Sequence, residues 1–245
     1  MPRWYEDLRR IVLLRIPRKA VPREMARTLL RAVIDDFDCV TDNHGVEWNA
    51  EAWRQGLVSR PPDAARVGVL AQHLPRIGVI TRDDVFAIRG PKMLLLATMV
   101  WGYGSTGYGR SRTLKIFQAN IGGDIAQAVT ALRSSVDSAA IWRAFSDGGQ
   151  ARLNGLGPAF ASKLAYFACY DRNSGKGPLI ADRNSSWGFW AIEGRWDIRE
   201  SAVLYAHYVE TAATWAHGLG VRSDDIERAL FVVGPYARFI WHKNE

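Results

Sequence analysis

Between residues 153 and 170 the chain reads L-N-G-L-G-P and then A-F-A-S-K-L-A-Y-F-A-C-Y, two glycines spaced by one apolar residue ahead of a segment with helical periodicity. Gly155 and Gly157 permit a tight turn, and Pro158 suits the first helical position, where its missing N–H costs nothing. The amides that open such a helix, around Ala159, sit at the positive end of its dipole and can hold a phosphate. A second stretch, W-G-Y-G-S-T-G-Y-G-R at 101–110, reads as a loop. Its glycines would let the backbone approach a ligand, Tyr103 and Tyr108 offer rings for stacking, and Arg110 and Arg112 supply charge. The plainer reading of that stretch is a tight connection between two helices. Taken singly, Lys163 reads as a solvated or phosphate-contacting helix residue, and Asp182 as the N-cap of the helix after it.

Together these residues resemble the helix-hairpin-helix DNA glycosylases, and more closely their bacterial 8-oxoguanine DNA glycosylase-like branch. The resemblance rests on Gly155, Leu156 and Gly157, on Lys163-Leu164-Ala165 and Phe167, on Pro178-Leu179-Ile180-Ala181-Asp182, and on the W-G-Y-G stretch with Arg110. It extends over roughly 90–190 and is thin before 60. It implies an all-α, mainly helical fold with two helical lobes and a cleft between them. It also implies that Asp182 and Lys163, nineteen positions apart, are the catalytic pair. One position departs from the pattern. Better-known members place the catalytic lysine two residues after the second hairpin glycine, where this chain has Ala159. Residues four apart share a helical face, so either Lys163 projects from one turn deeper or the hairpin is longer here.

The chemistry implied is cleavage of a base–sugar bond. Positive charge develops on the deoxyribose, and a carboxylate such as Asp182 can stabilise it or position the nucleophile. A lysine amine whose pKa is lowered can attack the anomeric carbon and form a Schiff base; if Lys163 stays charged, water attacks and no strand cleavage follows. The target base must leave the duplex for a pocket, and something must fill the gap. Trp187, Phe189 and Trp190 follow Asp182 closely enough to wall that pocket or form a wedge, with Tyr103 and Tyr108 as further candidates, although most of the ten tryptophans are expected in the core. Arg183, Asn184 and Ser185 are expected at the sugar-phosphate, and Tyr166 and Phe167 as packing residues.

Most of the elements that must position these groups read as helices. Apolar residues recur at helical spacing over 63–74, 82–89, 91–101, 111–120, 124–132 and 137–146, with an amphipathic stretch from Pro22 to Phe37. Thr81, Asp124 and Asp137 are candidate N-caps. Asp197 to His217 is the longest helical candidate, closed by Gly218, and Asp224 with Glu227 fits a capping box for the next. Trp241 suggests a packed C-terminus. Pro61-Pro62 places a boundary near 60, giving an appended helical region over 1–60 and a glycosylase core over 61–245 with its hairpin near 150–170.

The 245 residues are 48% hydrophobic, enough for a sizeable core, and 32 Lys and Arg against 25 Asp and Glu give a charge of +7 that favours an anionic partner. Two cysteines exclude an intrachain disulfide framework and a four-thiolate metal site, and fit a reducing cytoplasm. Five histidines include no pair at zinc-motif spacing, so no metal and no cofactor are expected. No apolar run reaches the length of a membrane span or signal core. The expected partner is double-stranded DNA with a modified base, bound by a monomer. The resemblance points to 8-oxoguanine as that base. A hypermodified base of phage DNA, such as glucosylated hydroxymethylcytosine, removed in defence, is the second reading. A non-catalytic DNA-binding module is the third.

Overall fold

The computed structural model describes residues 2–15, 21–36, 45–58, 70–74, 78–195 and 197–244. Among these the fold is all-α but for one small sheet. In chain order the elements are α1 (Tyr5–Arg15), α2 (Arg23–Asp36), β1 (Gly45–Glu47), α3 (Ala50–Val58), β2 (Val79–Thr81), α4 (Arg82–Phe86), α5 (Pro91–Tyr103), α6 (Gly107–Ala119), α7 (Asp124–Arg133), α8 (Ser138–Phe145), α9 (Pro158–Cys169), α10 (Arg183–Glu193), α11 (Ala202–Leu219) and α12 (Ser223–Asn244). β1 and β2 pair antiparallel, with Val46 opposite Ile80.

The chain forms two compact units. The first comprises Met1–Thr41, Asp137–Trp142 and Tyr170–Glu245; the second comprises Asp42–Val136 and Arg143–Cys169. The boundary expected near Pro61-Pro62 falls outside the described residues, as does 63–69 of the expected 63–74 helix. Helices α1 and α2, expected in an appended region, belong to the same unit as residues 170–245.

In the first unit α10 and α12 make the most extensive contact, and α1 and α2 pack on α12. Glycine makes the close approach possible. A Cβ on Gly234 would lie 2.0 Å from the Asn184 carbonyl oxygen, and one on Gly188 would lie 2.1 Å from that of Leu230. Those atoms belong to helix backbones, which cannot yield as a flexible side chain would. Arginines then close helix C-termini. Arg15 donates to the carbonyls of Ala191 (3.0 Å) and Ile192, and Arg27 and Arg31 of α2 donate to Gly218 (3.0 Å) and Leu219. Trp241 packs edge-on to Trp190 at 4.8 Å, so the C-terminal helix is packed as expected.

In the second unit α5 is the central element, buried from Leu94 to Trp101 and packed against α9, α6 and α7. Arg82 is buried beside it, its guanidinium 5.2 Å from the Trp101 ring centroid and donating to Tyr166 Oη at 2.9 Å. Tyr166 and Phe167 are buried packing residues, as expected.

Several local readings hold. Thr81 forms a full capping box with Asp84, Asp137 Oδ1 accepts from Ala140 N at 2.6 Å, and the amphipathic stretch after Pro22 is α2. Others need correction. Residues 101–110 are not a loop. Trp101–Tyr103 end α5, Gly107–Arg110 begin α6, and only Gly104–Thr106 turn between them. Gly102 and Gly109 serve packing, since a Cβ would meet Phe160 at 2.4 Å and Tyr103 at 2.5 Å. Asp124 is the first helical residue after a Gly123 cap that makes no side-chain bond. The helix expected over 197–217 starts at Ala202, because Asp197 is drawn into a turn with Arg199 and Ser201 Oγ takes the capping role toward Leu204 N at 3.2 Å. It ends at Gly220, left-handed at φ +67°, rather than Gly218, and α12 exceeds it in length. Asp224 with Glu227 is not the capping box of α12. Asp225 Oδ2 accepts from Arg222 N at 2.9 Å, while Asp224 is buried against the Tyr170 hydroxyl at 2.8 Å.

The α10–α12 approach yields a prediction. Gly234→Ala or Gly188→Ala should destabilise the protein at or above the upper end of about 1–3 kcal/mol, the usual cost of overpacking. Denaturant melts should show it, whereas Gly218→Ala, where a Cβ meets nothing within 4 Å, should cost far less.

Candidate functional site

Asp182 sits where an extended segment enters α10, at φ −119° and ψ −173°. Its Oδ1 accepts from Asn184 N (3.0 Å) and Ser185 N (3.1 Å), and Ser185 Oγ accepts from Asp182 N at 2.8 Å, a complete capping box. Asp182 is thus an N-cap, as its position in the sequence suggests, and this fixes a half-buried carboxylate at the positive end of a helix dipole. The segment before it is held from α11. Tyr205 Oη donates to Leu179 O at 2.8 Å and Tyr208 Oη to Ile180 O at 3.0 Å, both side chains fully buried. Neither tyrosine was a candidate from sequence, because their partners are carbonyls 26 and 28 residues away.

Beside this cap the first unit has a pocket of about 260 Å³ lined by Arg183, Ser186, Trp187, Asp197, Arg199 and His242. Arg199 grips Asp197 through Nε (2.6 Å), Nη2 (2.5 Å) and its own backbone N–H (3.0 Å). Burial pushes the Asp197 carboxyl up, but the Arg199 hydrogen bonds and charge, with Ser186, outweigh it and hold it below the usual range. The hydrogen bond to Asp197 is the largest cause raising the Arg199 guanidinium, and the Asp182 charge adds to it. Ser186 Oγ bridges, 2.8 Å from Asp182 O and 3.4 Å from Asp197 Oδ1. Trp187 stands edge-on to His242 (5.8 Å) and Trp190 (5.4 Å), and Trp190 is packed among rings rather than on the pocket wall. Arg183 is exposed. Asp197, Arg199 and His242 escaped the sequence reading because only the fold brings them to Trp187.

In the second unit the turn before α9 is held by Asn120 at the end of α6. Its Nδ2 donates to Asn154 O at 3.0 Å and its Oδ1 accepts from Asn154 N at 2.8 Å. Gly155 is left-handed at φ +82°, as the turn demands. Gly157 has no positive φ, and a Cβ there would meet nothing within 4 Å, so neither backbone conformation nor packing within the chain requires glycine at this exposed position. Ala159, half-buried, is the second residue of α9. Lys163 is 7% exposed, not a solvated surface lysine, with Nζ 5.6 Å from the Phe160 ring centroid. Phe160 stacks on Tyr103 at 4.3 Å, and Tyr103 meets the exposed Tyr108 at 6.1 Å. Burial raises the Tyr103 phenol, against the nearby Arg112 charge. Arg112 donates to Tyr108 Oη at 2.7 Å, while Arg110 donates to Ala52 O at 2.6 Å.

Among the described residues no group of His, Cys, Asp and Glu could hold a metal ion, and no helix is long and apolar enough to cross a membrane. The described residues thus form a mainly helical chain in which a glycine turn opens one helix and a capped carboxylate opens another. The family described as "putative 8-oxoguanine DNA glycosylase OGG-like protein" matches residues 40–231, and the chain belongs to that family. No curated protein and no solved structure matches it. Membership implies that the protein binds DNA.

Asn120→Ala removes both bonds to Asn154 at a buried position, a loss of about 1–3 kcal/mol. If the 154–158 turn grips DNA, duplex affinity should fall more than stability alone explains. Anisotropy titration alongside thermal melts checks this, and unchanged affinity would remove the turn from the interface.

Proposed function

We propose that the protein is a DNA glycosylase that takes a modified base out of the duplex and cleaves its N-glycosidic bond, leaving an abasic site. The observation that supports this best is a family match spanning both the glycine turn and Asp182. The C1′–N bond breaks with its electron pair leaving on the base, and the carboxylate of Asp182 stabilises the positive charge left on the sugar. Water then adds to C1′ and its proton passes to the departed base, or the neutral amine of Lys163 adds in its place, its proton passing likewise to the base, and the C1′–O4′ bond opens to leave a Schiff base that permits strand cleavage. The turn around Gly155, Gly157 and Ala159 holds a backbone phosphate on the opening amides of α9. Trp187 supplies a wall for the extruded base, and exposed Tyr108, held by Arg112, is suited to enter the gap. Arg183 and Asn184 contact the sugar-phosphate beside the target. Arg110, engaged with Ala52 O, ties α6 to α3 more than it meets DNA. The family description makes 8-oxoguanine the substrate of first choice.

Duplexes each carrying one modified base, scored for abasic sites, test the reading. Release of 8-oxoguanine is expected; release of glucosylated hydroxymethylcytosine instead would turn the role toward phage defence. Asp182→Asn should slow base release at least about 100-fold, on the scale of losing one preorganised electrostatic group, with duplex binding retained. An unchanged rate would remove Asp182 from the catalytic centre, and a wild-type protein that releases no base would be a DNA-binding module. Lys163→Ala should abolish any borohydride-trapped complex, and a wild-type protein that traps none uses water.

A further inference from the structure

The pocket beside Asp182 carries two guanidinium groups against one carboxylate, and that carboxylate is already engaged. Asp197 takes three bonds from Arg199 and one from Ser186. Arg199 is therefore not a swinging surface arginine. Its Nε and Nη2 are locked on Asp197, both side chains are about three-quarters buried, and among the described residues its Nη1 has no partner. Arg183, on the opening turn of α10, makes no ion pair among the described residues. The lining itself carries two guanidinium groups and one carboxylate, and the Asp182 and Glu200 charges act on Arg199 from beside it. A preoriented planar fork of N–H donors, a second unpaired arginine and an indole edge match an anion rich in acceptors and flanked by a flat apolar group.

We propose that this pocket is a phosphodiester subsite, in which Arg199, held in place by Asp197, and Arg183 grip a DNA backbone phosphate beside the nucleotide served by Asp182. It draws on residues of the first unit alone and gives that unit its own hold on the strand. Ser186 ties the subsite to the cap, since one hydroxyl contacts both Asp182 O and Asp197 Oδ1. The inference rests on the glycosylase reading only for which nucleotide is gripped. The phosphate contact itself is a binding property.

The test is therefore a binding experiment on the full chain, with duplex DNA carrying a tetrahydrofuran abasic analogue and titrations repeated over a range of KCl concentrations. Each phosphate contact contributes about 0.9 to the slope of log affinity against log salt. Arg199→Gln should make the slope shallower by about that amount and weaken binding several-fold at low salt. Arg183→Gln, at an exposed position where folding is not at risk, should do the same. Arg9→Gln removes one charge from an exposed α1 arginine paired with Glu6 at 3.5 Å and controls for long-range charge; its slope should match wild type. Slopes unchanged in both pocket variants would overturn the proposal, and if base release fell at the same time the pocket would hold the base instead. A shallower slope in a protein that releases no base would keep the subsite and reject the glycosylase reading.

Discussion

The contact on which the first unit depends is the backbone approach of α10 and α12, where the Asn184 and Leu230 carbonyls occupy the space a side chain would need on Gly234 and Gly188. Asn184 lies two residues beyond Asp182, so this approach does more than fill a core. It sets the height at which the opening turn of α10 stands, and with it the position of the capped carboxylate. The Arg15 bonds at the other end of α10, to Ala191 and Ile192, complete the restraint. A helix fixed at both ends presents its N-cap with little freedom to tilt, which is the condition a preorganised electrostatic group needs.

Asp182 shows how one atom set serves structure and site together. Its Oδ1 satisfies two amides that would otherwise be orphaned, and the same bonds hold the carboxylate still. The buried tyrosines of α11 secure the carbonyls just upstream, so the segment before the cap is fixed independently of the helix after it. The pocket at Trp187 inherits this order through Ser186, and the bonds from Asp197 hold the Arg199 guanidinium in one orientation.

The second unit uses different means for a comparable end. Its glycine turn is fastened by a single side chain, Asn120, that pairs both backbone groups of Asn154 as a strand neighbour would. Phe160, stacked on Tyr103, lies beside the buried Lys163, whose ammonium stands 5.6 Å from the Phe160 ring centroid. The place of Phe160 also accounts for glycine at 102, since any larger residue would displace that ring.

The sequence by itself determined what is local. Helical periodicity, the Thr81 capping box, Pro158 opening α9 and the cap role of Asp182 are encoded within a few residues, because a cap or a turn is satisfied by its immediate neighbours. The resemblance that brought out Asp182 and Lys163 is local in the same sense, a spacing along one stretch. Tertiary structure decided whatever needs partners far apart in the chain. It turned the glycines of 101–110 from a supposed ligand loop into packing positions under Tyr103 and Phe160, buried Lys163, and gathered Arg199, Asp197 and His242 around Trp187. It also moved the start of α11 to Ala202, because the Asp197–Arg199 pair favours a turn where periodicity alone favours helix. Propensity and spacing act over one or two helical turns; charge pairing, backbone approach and burial act across the fold, and those forces shaped the candidate site.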